Sequence, residues 1–251
     1  MTTVIAIVGC GGIGGYLALP LLRYIENLYY DEEDDDVVLR LIDGDSFETK
    51  NIDRQVVSSD AMGINKARWL AGYLSLFVSK QTTKIFPVEE YITPKNIENI
   101  LLGVDTVFLC VDNDKTRIQI EDYWNSIQRN FVIINGGNET IDGNVQICYG
   151  SMIKSMSEVH KDMKTTEDRN PGESCTNIED TTPQICIVNN FVASLMLVQY
   201  YRLTWYVLRQ NLLDRNMVFK KEWEPVDGHH ELYFDVRTGE VVSYDRTRKK
   251  N

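Results

Sequence analysis

Five apolar residues, Val4-Ile5-Ala6-Ile7-Val8, most of them β-branched, run without a break into Gly9-Cys10-Gly11-Gly12-Ile13-Gly14-Gly15. A strand with no polar face belongs in the middle of a parallel sheet, covered on both sides. Gly9, Gly11 and Gly14 keep the G-x-G-x-x-G spacing, with Gly12 inside it, and Tyr16 to Ile25 continues at helical period. Glycines let the backbone turn tightly beside a phosphate, and the unpaired amides and dipole of the helix start hold its charge. The expected ligand is a nucleotide. By itself the loop suits an NAD-dependent oxidoreductase as well as an ATP-using enzyme.

Beyond the first helix, strands and helices continue to alternate. Val37 to Ile42 is a second strand, ending at Asp43-Gly44-Asp45, and Asp43 stands where such folds place the acid that takes ribose hydroxyls. The gap from Gly14 to Asp43 is 29 residues rather than the usual count of about 20, and the block Asp31 to Asp36, read as a solvated loop, accounts for the excess. Helical spacing over 64–77, a strand over 84–91, a short helix over 94–102, a strand over 105–111, a helix over 115–128 and a strand over 131–135 complete the pattern. It predicts a doubly wound α/β fold with a mostly parallel sheet. Residues 136–144 are rich in turn formers, and 145–150 is expected to pair antiparallel. The polar stretch 151–183 reads as one long crossover loop, 185–211 as an apolar helix, and 232–236 with 240–244 as a hairpin around Arg237-Thr238-Gly239. These divide a single domain, 1–251, into a nucleotide-binding core (1–150), a loop (151–184) and a C-terminal helix and hairpin (185–251).

With 251 residues, a formal charge of −11 and a pI near 4.8, the chain repels nucleic-acid phosphates over most of its surface. No apolar run approaches the roughly 20 residues of a membrane span, and Val4 to Val8 feeds a structural loop rather than a signal-peptide cleavage site, so a cytoplasmic protein is expected. Cys10, Cys110, Cys148, Cys175 and Cys186 form no C-x-x-C pair, and no structural zinc is expected. Cys10 and Cys110 lie beside or within apolar strands, where packing explains them, whereas Cys175 lies in the polar loop. A cysteine in a polar loop is accessible, which makes Cys175, in Asn170-Pro171-Gly172-Glu173-Ser174-Cys175-Thr176 with Pro183 downstream, the first candidate nucleophile; Cys186, at the start of an apolar helix, is the second. The three histidines, His160, His229 and His230, suggest no metal site.

Three further segments narrow the chemistry: Asp43-Gly44-Asp45-Ser46-Phe47-Glu48-Thr49-Lys50-Asn51-Ile52-Asp53-Arg54-Gln55, then Gly63-Ile64-Asn65-Lys66-Ala67, then Val111-Asp112-Asn113 with Arg117. With the glycine loop, these four ordered motifs resemble the ThiF superfamily, the ATP-dependent activators of ubiquitin-like proteins and their sulfur-transfer relatives. The resemblance implies a Rossmann-like adenylating enzyme with ATP and Mg²⁺ as cofactors. Asp43 and Asp45 would face the ribose, and Arg54 and Lys66 the phosphates as a carboxylate attacks. Asp112 would hold the magnesium, while Asn51, Gln55 and Asn113 complete the contacts. Carboxylate activation calls for these residue types in any case, because an anion must approach a triphosphate and pyrophosphate must leave. The stretch around Cys175 is similar to that of the catalytic cysteine in eukaryotic ubiquitin-activating enzymes.

By the same resemblance the partners are a ubiquitin-like protein ending in glycine and a conjugating-enzyme-like protein, and the chain is expected to form a homodimer through the apolar face between Phe191 and Leu208. It departs from many members in lacking zinc pairs, an N-terminal arginine arm and a ubiquitin-fold domain. Arg23 and Arg117 are the candidates to replace the missing arginine. The chain looks most like the compact bacterial or phage-type members, those of PRTRC gene systems and ubiquitination-like operons. Adenylation for sulfur transfer without a thioester is the main alternative.

Overall fold

The computed structural model describes residues 2–28, 36–151, 153–165, 186–213 and 228–248, with side chains described for all but 205–213. The elements in chain order are β1 (Thr2–Val8), α1 (Gly12–Leu28), β2 (Asp36–Ile42), α2 (Lys66–Ser75), β3 (Thr83–Val88), α3 (Ile97–Ile100), β4 (Thr106–Leu109), α4 (Asp114–Ser126), β5 (Val132–Asn138), β6 (Asp142–Cys148), α5 (Met156–Val159), α6 (Cys186–Leu213), β7 (Glu231–Asp235) and β8 (Glu240–Tyr244). Short 3-10 turns cover Thr49–Asn51, Ser59–Ala61 and Lys161–Lys164.

All eight strands form one sheet in the order β3-β2-β1-β4-β5-β6-β7-β8. The first five in that order are parallel and the remaining pairings antiparallel. Strand β1 sits inside as its apolar run requires, with Ile5 and Ile7 packed on one face and Ala6 and Val8 on the other. Helices α1, α2 and α6 cover the first face through Leu17, Leu21, Leu70, Leu74, Val192 and Met196; α3, α4 and α5 cover the second through Ile97, Ile120, Trp124 and Met156. From β1 the chain winds outward through β2 and β3, then returns to the other side of β1 at β4. The order therefore reverses between β1 and β4, which is where doubly wound folds open a crevice at the carboxyl ends of their strands. Val8 pairs with both Ile42 and Leu109, so β1, β2 and β4 end level around that crevice.

Three expectations change. Helix α1 starts at Gly12, ahead of the apolar period, because glycines build its first turn without side chains to mark it. Gly136 to Asn138 and Asp142 to Asn144, read as turn, are strand, because pairing across the sheet (Gly136 with Val145, Asn138 with Gly143) outweighs their turn preference. The start of the polar loop is ordered by a buried acid. Glu121 on α4 accepts hydrogen bonds from Ser155 Oγ at 2.9 Å, Ser157 N at 2.9 Å and Ser157 Oγ, which pins α5 to α4. Residues 166–185, with Cys175, lie outside the described residues, as does most of the acidic block. Among the described residues, no helix is long and apolar enough to cross a membrane.

Candidate active site

The glycine loop is held by the strand ends around it. Gly9 donates its amide to Ile42 O at 2.9 Å, and its φ of +91° is one that side chains rarely adopt. A Cβ on Gly9 would stand 2.7 Å from Cys110 O, and one on Gly14 would stand 1.9 Å from Gly9 O. Neither position has room for any other residue. The loop stays thin enough for a phosphate to approach its backbone.

Asp43 faces this loop from the end of β2. Its Oδ2 accepts the amide of Cys10 at 2.7 Å and its Oδ1 the amide of Asp45 at 2.8 Å. Burial pushes its carboxyl above the ordinary range, against the pull of Lys66 and these two amides. Each oxygen retains a lone pair, so a carboxylate fixed in this way can still accept from two hydroxyls.

Lys66 is the first residue of α2 and is 9% exposed. Its Nζ rests 3.2 Å from Asp45 Oδ2, and the hydroxyl of Tyr91 donates to Asp45 Oδ1. Asn65 caps the helix by accepting from Arg68 N at 3.1 Å. It also ties the Asp43-Gly44-Asp45 turn down, donating to the carbonyls of Asp43 at 2.8 Å and Asp45 at 3.1 Å. Neither Asn65 nor Tyr91 is among the site residues that the sequence suggests. The capping preference of asparagine at a helix start is a signal for the first, and nothing in the sequence signals the second.

The segment that carries Arg54 and Gln55 lies along the loop. The amides of both return to Asn51 O, at 3.2 and 2.9 Å, and buried Asn51 accepts from Glu48 N at 2.8 Å through Oδ1. Gln55 Nε2 is 3.4 Å from where a Cβ on Gly11 would be, while Gln55 Oε1 is buried with no hydrogen-bond partner among the described residues. A buried acceptor without a donor beside a glycine cradle fits a site built for a polar ligand.

Asp112 is exposed just beyond β4, and Asn113 caps α4 by accepting from Thr116 N at 2.8 Å. Arg117 is bound to Asp114 at 3.0 Å and to the carbonyl of Val111 at 2.8 Å, which braces the strand ends. Arg23 donates to Phe77 O at 2.9 Å at the far end of α1. Of the two arginines expected to balance the pyrophosphate, Arg117 stands at the crevice and Arg23 does not.

Among the described residues, no group of three or more His, Cys, Asp or Glu is gathered for a metal. Magnesium needs none when substrate phosphates and water complete its shell, so the oxygen of Asp112 suits a metal that arrives with ATP. Burial raises the thiols of Cys10, Cys110 and Cys148 and makes them poor nucleophiles. Cys186 is half-buried at the start of α6.

The fold and this edge define a nucleotide-binding α/β protein with an acid, a lysine and an arginine segment set around a glycine loop. Residues 2–224 match the ThiF family, and the chain belongs to that family. It is similar to the adenylyltransferase and sulfurtransferase MOCS3 of Sus scrofa, 29% identical over 121 residues that cover 48% of this chain and 24% of that protein. It is also similar to the SAMP-activating enzyme E1 of Haloferax volcanii, 29% identical over 119 residues that cover 47% of this chain and 40% of that protein. Both curated relatives are aligned over less than half of their own length. Among solved structures, E. coli MccB with ATP superposes with a TM-score of 0.67 at 16% identity, over 98% of this chain and 64% of that one. PaaA superposes at 0.63 and 17%, over 98% and 65%. At these identities the two structures speak for the fold alone.

Proposed function

We propose that the chain adenylates a terminal carboxylate of a small protein or peptide with Mg·ATP. The observation that carries this reading is the gathering of the glycine loop, Asp43, Lys66 and the Arg54 segment on one strand-end crevice. In the reaction a carboxylate oxygen attacks the α-phosphorus, the bond to the bridging oxygen breaks, and pyrophosphate leaves with the electron pair. Asp43 orients the ribose. Lys66 leaves Asp45 for the phosphates, and Arg54 offsets charge as it builds on the leaving group. Asp112 would hold the magnesium, which supplies Lewis-acid stabilisation of the phosphates.

The finer reading continues from there. The thiolate of Cys175 attacks the acyl carbon, AMP departs, and the resulting thioester passes a ubiquitin-like protein to a conjugating partner. Residues 1–150 act as the nucleotide-binding core, and two copies meet over the apolar groove between α1 and α6, where Tyr16, Pro20, Tyr24, Leu197 and Val198 line the surface. A second reading keeps adenylation and makes a sulfur species the acceptor; it is favoured by the sulfurtransferase names of MOCS3 and of its fungal counterparts.

Pyrophosphate exchange tests the first step, with glycine-terminated small proteins encoded near this gene as substrates. Exchange is expected to depend on that terminus and to vanish in Asp112→Ala. A thiol-sensitive adduct that disappears in Cys175→Ala supports the thioester. A thiocarboxylated product supports sulfur transfer, and tight NADH binding without ATP binding sinks adenylation altogether.

A further inference from the structure

Asn189 lies in the first turn of α6 and is 2% exposed. Its Nδ2 donates to the carbonyl oxygen of Arg54 at 3.0 Å, and its Oδ1 accepts from Asn138 Nδ2 at 2.8 Å. The same side chain covers the glycine loop, since a Cβ on Gly12 would stand 2.5 Å from Nδ2. One amide thereby touches three segments that meet at the crevice: the loop, the Arg54 strip and the end of β5.

Building on the adenylation reading, we propose that Asn189 is a positioning residue that sets Arg54 and the glycine loop for the triphosphate but not for the nucleoside. Beyond Asn51 the backbone amides of the strip turn back on the 3-10 turn, Ile52 N to Thr49 O and those of Arg54 and Gln55 to Asn51 O. Its outer carbonyl, that of Arg54, is fixed from α6 instead. Only a side chain with a donor on one side and an acceptor on the other meets both neighbours. Leucine fills a similar volume and offers neither. Aspartate keeps the shape but turns an acceptor toward Arg54 O and adds negative charge beside the phosphates. Asp43 is anchored by Asp45 N and by Cys10 N, at the end of the loop that Gly9 ties to Ile42 O and two residues before the Asn189 contact at Gly12, so the ribose end leans on β2 rather than on Asn189.

Calorimetry on the full chain with Mg·ATP and with adenosine separates these roles. Asn189→Leu is expected to weaken Mg·ATP about tenfold, the scale of one lost buried hydrogen bond, and adenosine less than about twofold. Asn189→Asp weakens Mg·ATP further. Combining Asn189→Leu with Arg54→Ala costs less than the sum of the two single losses, because part of the effect of Asn189 passes through the Arg54 guanidinium. Asn138→Ala, which removes one of the two hydrogen bonds, gives a milder loss of the same selectivity should the leucine variant fold poorly. Equal weakening of both ligands, or additive losses in the double variant, would make Asn189 a packing residue and overturn the proposal. Failure of the unmutated protein to bind Mg·ATP overturns the adenylation reading as well, and that outcome is read without any variant.

Discussion

The parallel and antiparallel halves of the sheet bury polar groups in different ways. At the ends of β1, β2 and β4 the groups are fixed from behind and left unfinished in front. Asp43 is held by two amides with lone pairs to spare, Lys66 rests on Asp45 until something more negative arrives, and Gln55 Oε1 lacks a donor among the described residues. Across β6 and β7 the groups finish one another. Glu231, 2% exposed, accepts from Gln146 at 2.6 Å, His160 at 2.6 Å and Tyr233 at 2.9 Å, all on Oε1. Burial alone would raise its carboxyl, but the hydrogen bonds from His160 and Gln146 and the charge of Arg246 prevail and hold it low. Arg246, through Nε and Nη1, and Asn135, which donates to Gln146 but leaves its own Oδ1 buried, are exceptions there, lacking hydrogen-bond partners for those atoms among the described residues. A group left open to one side costs stability and is worth keeping where a ligand completes it. A closed network specifies the fold. The antiparallel addition is in this sense a scaffold for the crevice, and variants can probe the divide on both sides.

The largest effect is expected at Gly14. A Cβ 1.9 Å from Gly9 O cannot be absorbed by a side-chain shift, because the atom it meets is backbone. Gly14→Ala should abolish Mg·ATP binding, by more than about 100-fold, and lower the melting temperature, since the loop also seats α1. Retained binding would mean that the crevice is not the nucleotide site.

Glu231→Ala should reverse the pattern. It strands His160, Gln146 and Tyr233 without an acceptor and removes the countercharge near Arg246, at a cost of about 3 kcal/mol in a denaturant melt. Mg·ATP affinity should stay within about twofold of the wild type. A large loss of affinity would show that the two halves are coupled and that the contrast between them is false.

His160 sharpens it through pH. Its hydrogen bond to Glu231 raises its pKa above 6.5, while Glu231 is held below 4.5. The histidine's contribution is complete below 6.5 and fades as pH rises through the higher folded value; that of Glu231 is complete above 4.5 and fades as pH falls through the lower one. Tyr233, Arg246 and Asp162 also face His160, and the charge of Arg246 opposes the shift. His230 is buried and shifted down by that burial, so it weakens the fold on acidification below 6.5 in both proteins and cancels in the difference. The stability gap between wild type and His160→Gln should therefore be widest between 4.5 and 6.5, at about 1 kcal/mol for this partly exposed pair, and close on the alkaline side. A gap that is flat with pH would leave His160 uncharged.

Legibility in the sequence divides along the same line. The parallel half announces itself because apolar runs and glycine spacing are local signals, and Gly9, Asp43 and Lys66 fall where their motifs put them. The antiparallel half is written in long-range pairs. Glu231 meets Gln146 and His160 across 85 and 71 residues, and no local pattern tells a histidine that pairs with a buried acid from a solvated one. Asn189 escapes notice for the same reason: within an apolar helix, its meeting with Arg54 spans 135 residues.

The smallest effect separates a glycine that the crevice needs from one that it does not. Gly72 is exposed on α2, the helix that carries Lys66, and a Cβ there would meet nothing within 4 Å. In a helix interior glycine gives up more backbone entropy on folding than alanine, so Gly72→Ala should stabilise the chain by about 0.5–1 kcal/mol. Mg·ATP affinity should be unchanged, because the start of α2 is fixed independently by Asn65 and by the bond from Lys66 N to Asp45 O at 2.8 Å. If instead the stiffer helix weakens ATP, Lys66 needs give in α2 to leave Asp45, and the parallel half is held open by motion as well as by unfinished hydrogen bonds.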